Sequence, residues 1–274
     1  MQRALHLRLA LILVFSLAGV PLAGMKPSQE HVTSESPARA EIEDLIRESS
    51  ATVSVAFRSM DGTQELFLNA EARYDDPNAL RIPVMIAVYR AAHAHAISLD
   101  DPVRPRGSAG TPIAATIGEL CEAMIAENSD PATNLLLERF TLAGIRDQIR
   151  SLGADGMEIG ASFPNNEKNH TTSRAVLIVL WKLATDRVVS PDASKEMMAL
   201  LAHSPLHSVP PVSPVVAPPS NPAAPAGVPV AVRDAVAIFG ARSYVLVIQV
   251  QGLRDNFESA ELIAKISSAL TKVM

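Results

Sequence analysis

Between Ile82 and Ala92 the chain reads Ile-Pro-Val-Met-Ile-Ala-Val-Tyr-Arg-Ala-Ala, and Arg90 is the one charged residue in that run. A helix without a polar face has to be buried on every side, so this stretch predicts a helix through the middle of the fold. Pro83 is expected in its first turn, where a missing N–H has no partner to lose. The preceding run, Asp75-Asp76-Pro77-Asn78-Ala79-Leu80-Arg81, then lies at the floor of a cleft or inside the protein. Function turns on what Asn78 and Arg81 can do there.

The start of the chain has the pattern of an export signal over residues 1–23. Arg3 and Arg8 precede an apolar run from Leu9 to Leu17, with Ser16-Leu17-Ala18 or Leu22-Ala23 as a small-residue exit. The run is short for a membrane span, so no stable anchor is expected once the signal is cut. An uncut N-terminal anchor is the competing reading. A polar linker follows over 24–37, and a single domain is expected over 38–274. The expected location is periplasmic or extracellular, in a bacterium. Aromatic content is 4% and net charge −5. That balance gives no concentrated basic surface, so a nucleic-acid partner is not expected. Cys121 is the only cysteine; a disulfide and a thiolate metal site are therefore not expected.

Along the domain, Ala40 to Arg47 has helical spacing. Val53 to Phe57 and Glu65 to Leu68 read as a hairpin around Asp61-Gly62. Past the central helix, Thr116 and Glu119 form a capping-box pattern ahead of a helix over Ile117 to Ile125. Further helices are expected over Pro131 to Phe140, Gly144 to Leu152, Arg174 to Thr185 and Ser190 to Ala202. Gly153 to His170 reads as a long polar loop. Residues 204–229 hold nine of the twenty prolines and read as an extended, solvated segment. Val230 to Phe239 and Ser243 to Val250 are expected strands, and Phe257 to Val273 a closing helix. Strands at both ends and helices between them predict an α+β fold. One antiparallel sheet is built from the two chain ends, with an all-helical subdomain inserted at about 75–203.

Five stretches resemble the class A β-lactamases and related transpeptidase-like exported serine hydrolases. They are Asn69 to Tyr74 leading into Arg81-Ile82-Pro83-Val84-Met85; Leu99 to Val103; Met124 to Leu137; His170 to Arg174 through Val189-Ser190-Pro191; and Gly227 to Ala231 with Asp234 to Ile238. The resemblance implies the β-lactamase/transpeptidase-like fold and a cleft between sheet and helices. It implies no cofactor and no metal, and a cell-wall peptide or a β-lactam-like small molecule as partner.

The residues depart from the family at its chemistry. Its first motif, Ser-x-x-Lys, supplies the nucleophile and a base. Here the four positions are Asn78-Ala79-Leu80-Arg81. An amide is no nucleophile near neutral pH, and arginine stays protonated. No serine stands three residues before any lysine elsewhere. The second motif, Ser-Asp-Asn, aligns on Asn128-Ser129-Asp130, and no Lys-Thr-Gly or Lys-Ser-Gly occurs. For the acid/base glutamate of the long loop, Glu158 is the nearest match and Glu167 a poorer one. The resemblance sets Arg81 beside Asp130, so the two are expected to pair across the old active site; Asp75, Asp76 and Glu127 are alternative partners. The reading is a catalytically inactive binding or structural module, with no catalytic residue assigned. Asn78, Arg81, Asn128, Ser129, Asp130 and Glu158 form its candidate cleft. The alternative is an active hydrolase rewired onto Ser129. His93 and His95 fall on different helix faces and chelate nothing together. His203, His207 and Gly107-Ser108-Ala109-Gly110 lack a catalytic or ligating pattern.

Overall fold

The computed structural model describes residues 37–103, 115–164, 168–202, 230–238, 243–253 and 256–271. The expected signal, most of the expected linker, the proline-rich segment, Glu167, His203, His207, Gly107 to Gly110 and residues 239–242 lie outside them. Among the described residues, no helix is long and apolar enough to cross a membrane.

The elements run α1 (Pro37–Glu48), β1 (Thr52–Ser59), β2 (Glu65–Leu68), α2 (Pro77–His93), α3 (Ile117–Ala126), α4 (Asp130–Phe140), α5 (Leu142–Ser151), α6 (Ser173–Ala184), α7 (Pro191–Ala202), β3 (Val230–Ile238), β4 (Tyr244–Leu253) and α8 (Asn256–Thr271). The sheet is antiparallel throughout, in the order β2-β1-β4-β3. Its central pair joins residue 52 to residue 251 and residue 59 to residue 244. Strands from the two chain ends therefore make one sheet, with the helices inserted between, as the order of elements predicts.

Period-two alternation sorts the sheet's side chains onto two faces. Val53, Val55 and Phe57 of β1, with Leu246, Ile248 and Val250 of β4, pack with Ile42 of α1 and with Ile263 and Ile266 of α8. The intervening Ala56, Val245 and Val247 face the inserted helices and join the larger core. There α6 lies against the sheet. Trp181 donates from Nε1 to the Ser59 carbonyl at 2.9 Å and carries the guanidiniums of Arg58 and Arg187 against its ring. The Thr116–Glu119 capping box is present at the start of α3.

The central helix is α2, and its start differs from expectation. Asp76 is the N-cap, accepting from Ala79 N–H at 3.2 Å, and Pro77 occupies the first turn. Pro83 therefore lies inside the helix, where it leaves the Ala79 carbonyl without an i+4 donor. A second proline six residues upstream already fills the tolerated position. Burial does run all round: Leu80, Ile82, Val84, Met85, Ile86 and Val88 are each at most 1% exposed. Cys121 of α3 packs in the same core, and burial pushes its thiol up to about 12. Since the thiolate is the reactive form, Cys121 should resist an aromatic disulfide reagent in the folded protein and react fully in denaturant. Prompt labelling under native conditions would contradict this packing.

Candidate functional site

Arg81 sits one turn into α2 with only 3% of its side chain exposed. A guanidinium carries five N–H donors and no acceptor, so the chain must bring oxygens to it. Nε donates to Thr133 Oγ1 at 3.1 Å. Nη1 donates to Asn78 Oδ1 and, at 3.0 Å, to Asn128 Oδ1. Nη2 donates to Asp130 Oδ1 at 2.5 Å, closing the ion pair. Of the carboxylates named as alternatives, Asp76 contributes only at longer range, through its charge. Burial pulls the guanidinium below its ordinary value; Asp130 and then Asp76 work against that shift. Arginine stays protonated even so, and the site holds a permanent cation.

Local structure fixes each partner. Asn78 lies in the first turn of α2, behind the Asp76 cap. Asn128 adopts φ +54°, a left-handed conformation that asparagine tolerates better than most residues. Ser129 is the N-cap of α4, its hydroxyl accepting from Ala132 N–H at 3.3 Å. No described histidine or carboxylate hydrogen-bonds to that hydroxyl. Asp130 opens α4, where a negative charge suits the helix N-terminus. Thr133 is fully buried and reaches Arg81 from the next turn of that helix. Five of the six residues expected in the cleft are thus brought together: Asn78, Arg81, Asn128, Ser129 and Asp130.

Glu158 is placed differently. Its carboxylate meets Arg73 and, at 3.3 Å, His170 Nε2, and half of its side chain is exposed. A backbone bridge pairs Glu158 with His170, which ties the carboxylate to that end of the loop. The residue of the long loop that reaches Arg81 is Phe163, whose ring centre lies 5.4 Å from the guanidinium carbon. Phe163 is 5% exposed, and Asn134 holds its backbone at both ends: Oδ1 accepts from Phe163 N–H at 2.8 Å and Nδ2 donates to its carbonyl at 3.1 Å. Arg146 clamps the Ile159 carbonyl through two N–H groups, and Asn169 bonds Gly160 N–H and the Ser162 carbonyl. Among its described residues, the loop presents the aromatic ring of Phe163 to Arg81. Thr133 and Phe163 were the members missed from sequence. A large apolar residue inside a polar loop was the available signal, because such a ring seeks burial.

Behind the helix start a second polar chain runs to the sheet. Asp76, 4% exposed, accepts at Oδ2 from Gln249 Nε2 at 3.2 Å. Ser173 Oγ donates to Gln249 Oε1 at 2.8 Å and also meets Ser54 Oγ. This chain anchors the N-termini of α2 and α6 to β1 and β4. His93 closes α2 and His95 follows it; both are exposed. Among the described residues, no three of His, Cys, Asp and Glu gather as a metal site.

Comparison with known proteins places this geometry in context. The model of the Beta-lactamase enzyme family matches residues 37–274. β-Lactamases of Mycobacterium tuberculosis H37Rv and Mycobacterium bovis are 24% identical over 209 residues, covering 68% of each chain. Among solved structures, the β-lactamase of Sphaerobacter thermophilus superposes with a TM-score of 0.67 at 21% identity, over 86% of this chain and 96% of that one. PBP-A gives 0.67 at 17% identity, over 89% and 96%. The TLA-3 extended-spectrum β-lactamase gives 0.70 at 16% identity, over 86% and 98%. These structural likenesses establish the fold, and the family match over residues 37–274 establishes the kinship: the chain belongs to the β-lactamase enzyme family.

Proposed function

We propose that this protein is a non-catalytic member of its family, an exported module that binds a cell-wall peptide or a β-lactam-like molecule without forming a covalent bond to it. What supports this reading is the state of Arg81. Four of its N–H groups are committed to Asn78, Asn128, Asp130 and Thr133. Acyl transfer by this fold calls for a hydroxyl or thiol with a proton acceptor beside it. The position of the attacking group holds an amide, its neighbour holds a cation that keeps its proton, and the loop contributes Phe163. The Ser129 hydroxyl oxygen is engaged in capping α4. Export rests on residues 1–23 of the sequence; recovery of a shortened chain outside the cytoplasm tests it.

A PBP-A mutant of the same fold was solved as an acyl-enzyme complex with penicillin G, which sets the comparison. Incubating the present protein with a fluorescent penicillin and weighing the intact chain should give an unchanged mass and no retained fluorescence. An adduct, transient or lasting, overturns the reading, and peptide mapping would then identify the nucleophile.

A further inference from the structure

The orientation of two side-chain amides follows from the guanidinium between them. Arg81 offers only donors, so Asn78 and Asn128 must both turn their oxygens towards it. Their Nδ2 groups are thereby directed away from the cation. No described residue accepts from either nitrogen, and both side chains are half-buried at the rim. Beside them Asp130 gives Oδ1 to Arg81, while no described donor meets Oδ2, and 32% of the side chain remains exposed. The rim therefore carries two fixed N–H₂ donors and one fixed carboxylate acceptor. Backbone geometry holds all three: Asn78 in a helical turn, Asn128 at φ +54°, Asp130 at the head of α4.

We infer that Asn78, Asn128 and Asp130 form a recognition site for an uncharged primary carboxamide, such as the end of an amidated peptide, with the two Nδ2 groups donating to its carbonyl oxygen and Asp130 Oδ2 accepting from the N–H on the same side. The inference rests on the non-covalent reading above and narrows it to a ligand class. A carboxylate is a poorer fit. Arg81 is enclosed and already paired, so it lends no free positive charge to the rim, whereas Asp130 repels an anion at hydrogen-bond range. The chain also lacks any Lys-Thr-Gly or Lys-Ser-Gly.

The test uses the full ¹⁵N-labelled chain and two probes, N-acetyl-alanyl-alaninamide and N-acetyl-alanyl-alanine. The amide should shift the side-chain NH₂ resonances of Asn78 and Asn128, and the free acid should bind about tenfold more weakly, the cost of one unpaired or repelled group. Asn78→Asp and Asn128→Asp keep an oxygen towards Arg81, replace the outward donor with an acceptor and add a negative charge that faces the guanidinium. Each should weaken the amide about tenfold while melting near the parent temperature. Equal binding of the two probes, binding of neither, or shifts confined to another region overturn the inference. The comparison of probes needs no variant, so it stands even where a substitution fails to fold. A penicillin adduct would sink the non-catalytic reading and leave this titration readable; a silent titration with unchanged mass would sink this inference alone.

Discussion

Replacing Arg81 with alanine is expected to lower folding stability by about 3–5 kcal/mol, the range for breaking a buried ion pair from one side. The loss has a specific source. Asp130, Asn78, Asn128 and Thr133 each point an oxygen into the space that Arg81 fills. With the guanidinium gone these oxygens face one another and the ring of Phe163, and fully buried Thr133 has no route to water. Water can reach Asp130, a third of whose side chain is exposed, so the low end, about 3 kcal/mol, is the firmer expectation. For a chain of this size that corresponds to a fall in Tm of about 6–12 °C. Lysine should recover part of the loss, because a point charge meets Asp130 but cannot reach four acceptors held in a plane. Thermal or urea unfolding of the alanine and lysine variants measures this. A loss under about 1 kcal/mol would mean the pair behaves as an exposed one and does not organise the site.

Asp76→Ala should cost about 2–4 kcal/mol, from two separate losses. One is the cap on α2, about 1 kcal/mol. The other is the partner of Gln249 Nε2, a buried donor left unmet at about 1–3 kcal/mol. Asp76→Asn separates them. The asparagine oxygen can still cap Ala79, but it cannot offer Gln249 a second acceptor, so about half the loss should remain. Urea midpoints with an unchanged m-value check both figures. Asparagine and alanine variants of equal stability would show that the link to the sheet, and not the cap, carries the contribution.

The parts of the fold that repeat were legible in the residues. Alternation in Val53 to Phe57, the Thr116–Glu119 box and the unbroken apolar run of α2 each impose their structure locally. The start of α2 was less legible because two prolines compete for one position, and only the Asp76 bond to Ala79 decides between Pro77 and Pro83. At the site, the resemblance set Arg81 beside Asp130 and charge made a pair of them, since a buried guanidinium calls for a carboxylate. The burial of Phe163 was signalled by its apolar ring in a polar loop, but its partner, and that of Gln249, were not. Their contacts join residues far apart in sequence, Arg81 with Phe163 and Asp76 with Gln249, and no local pattern encodes such a meeting. Glu158 illustrates the converse: its type suited an acid, yet the bridge to His170 holds it beside Arg73.

The pairing of β1 with β4 also sets a timetable for the newborn chain. Residues 52–59 are made well before residues 244–253, so β1 has only β2 beside it until β4 follows. Long-range pairing of this kind is slow to close. Until it closes, α1 has no finished surface to dock on and the polypeptide stays threadable. The strand order thus sets how long the chain stays open to anything that recognises unfolded polypeptide.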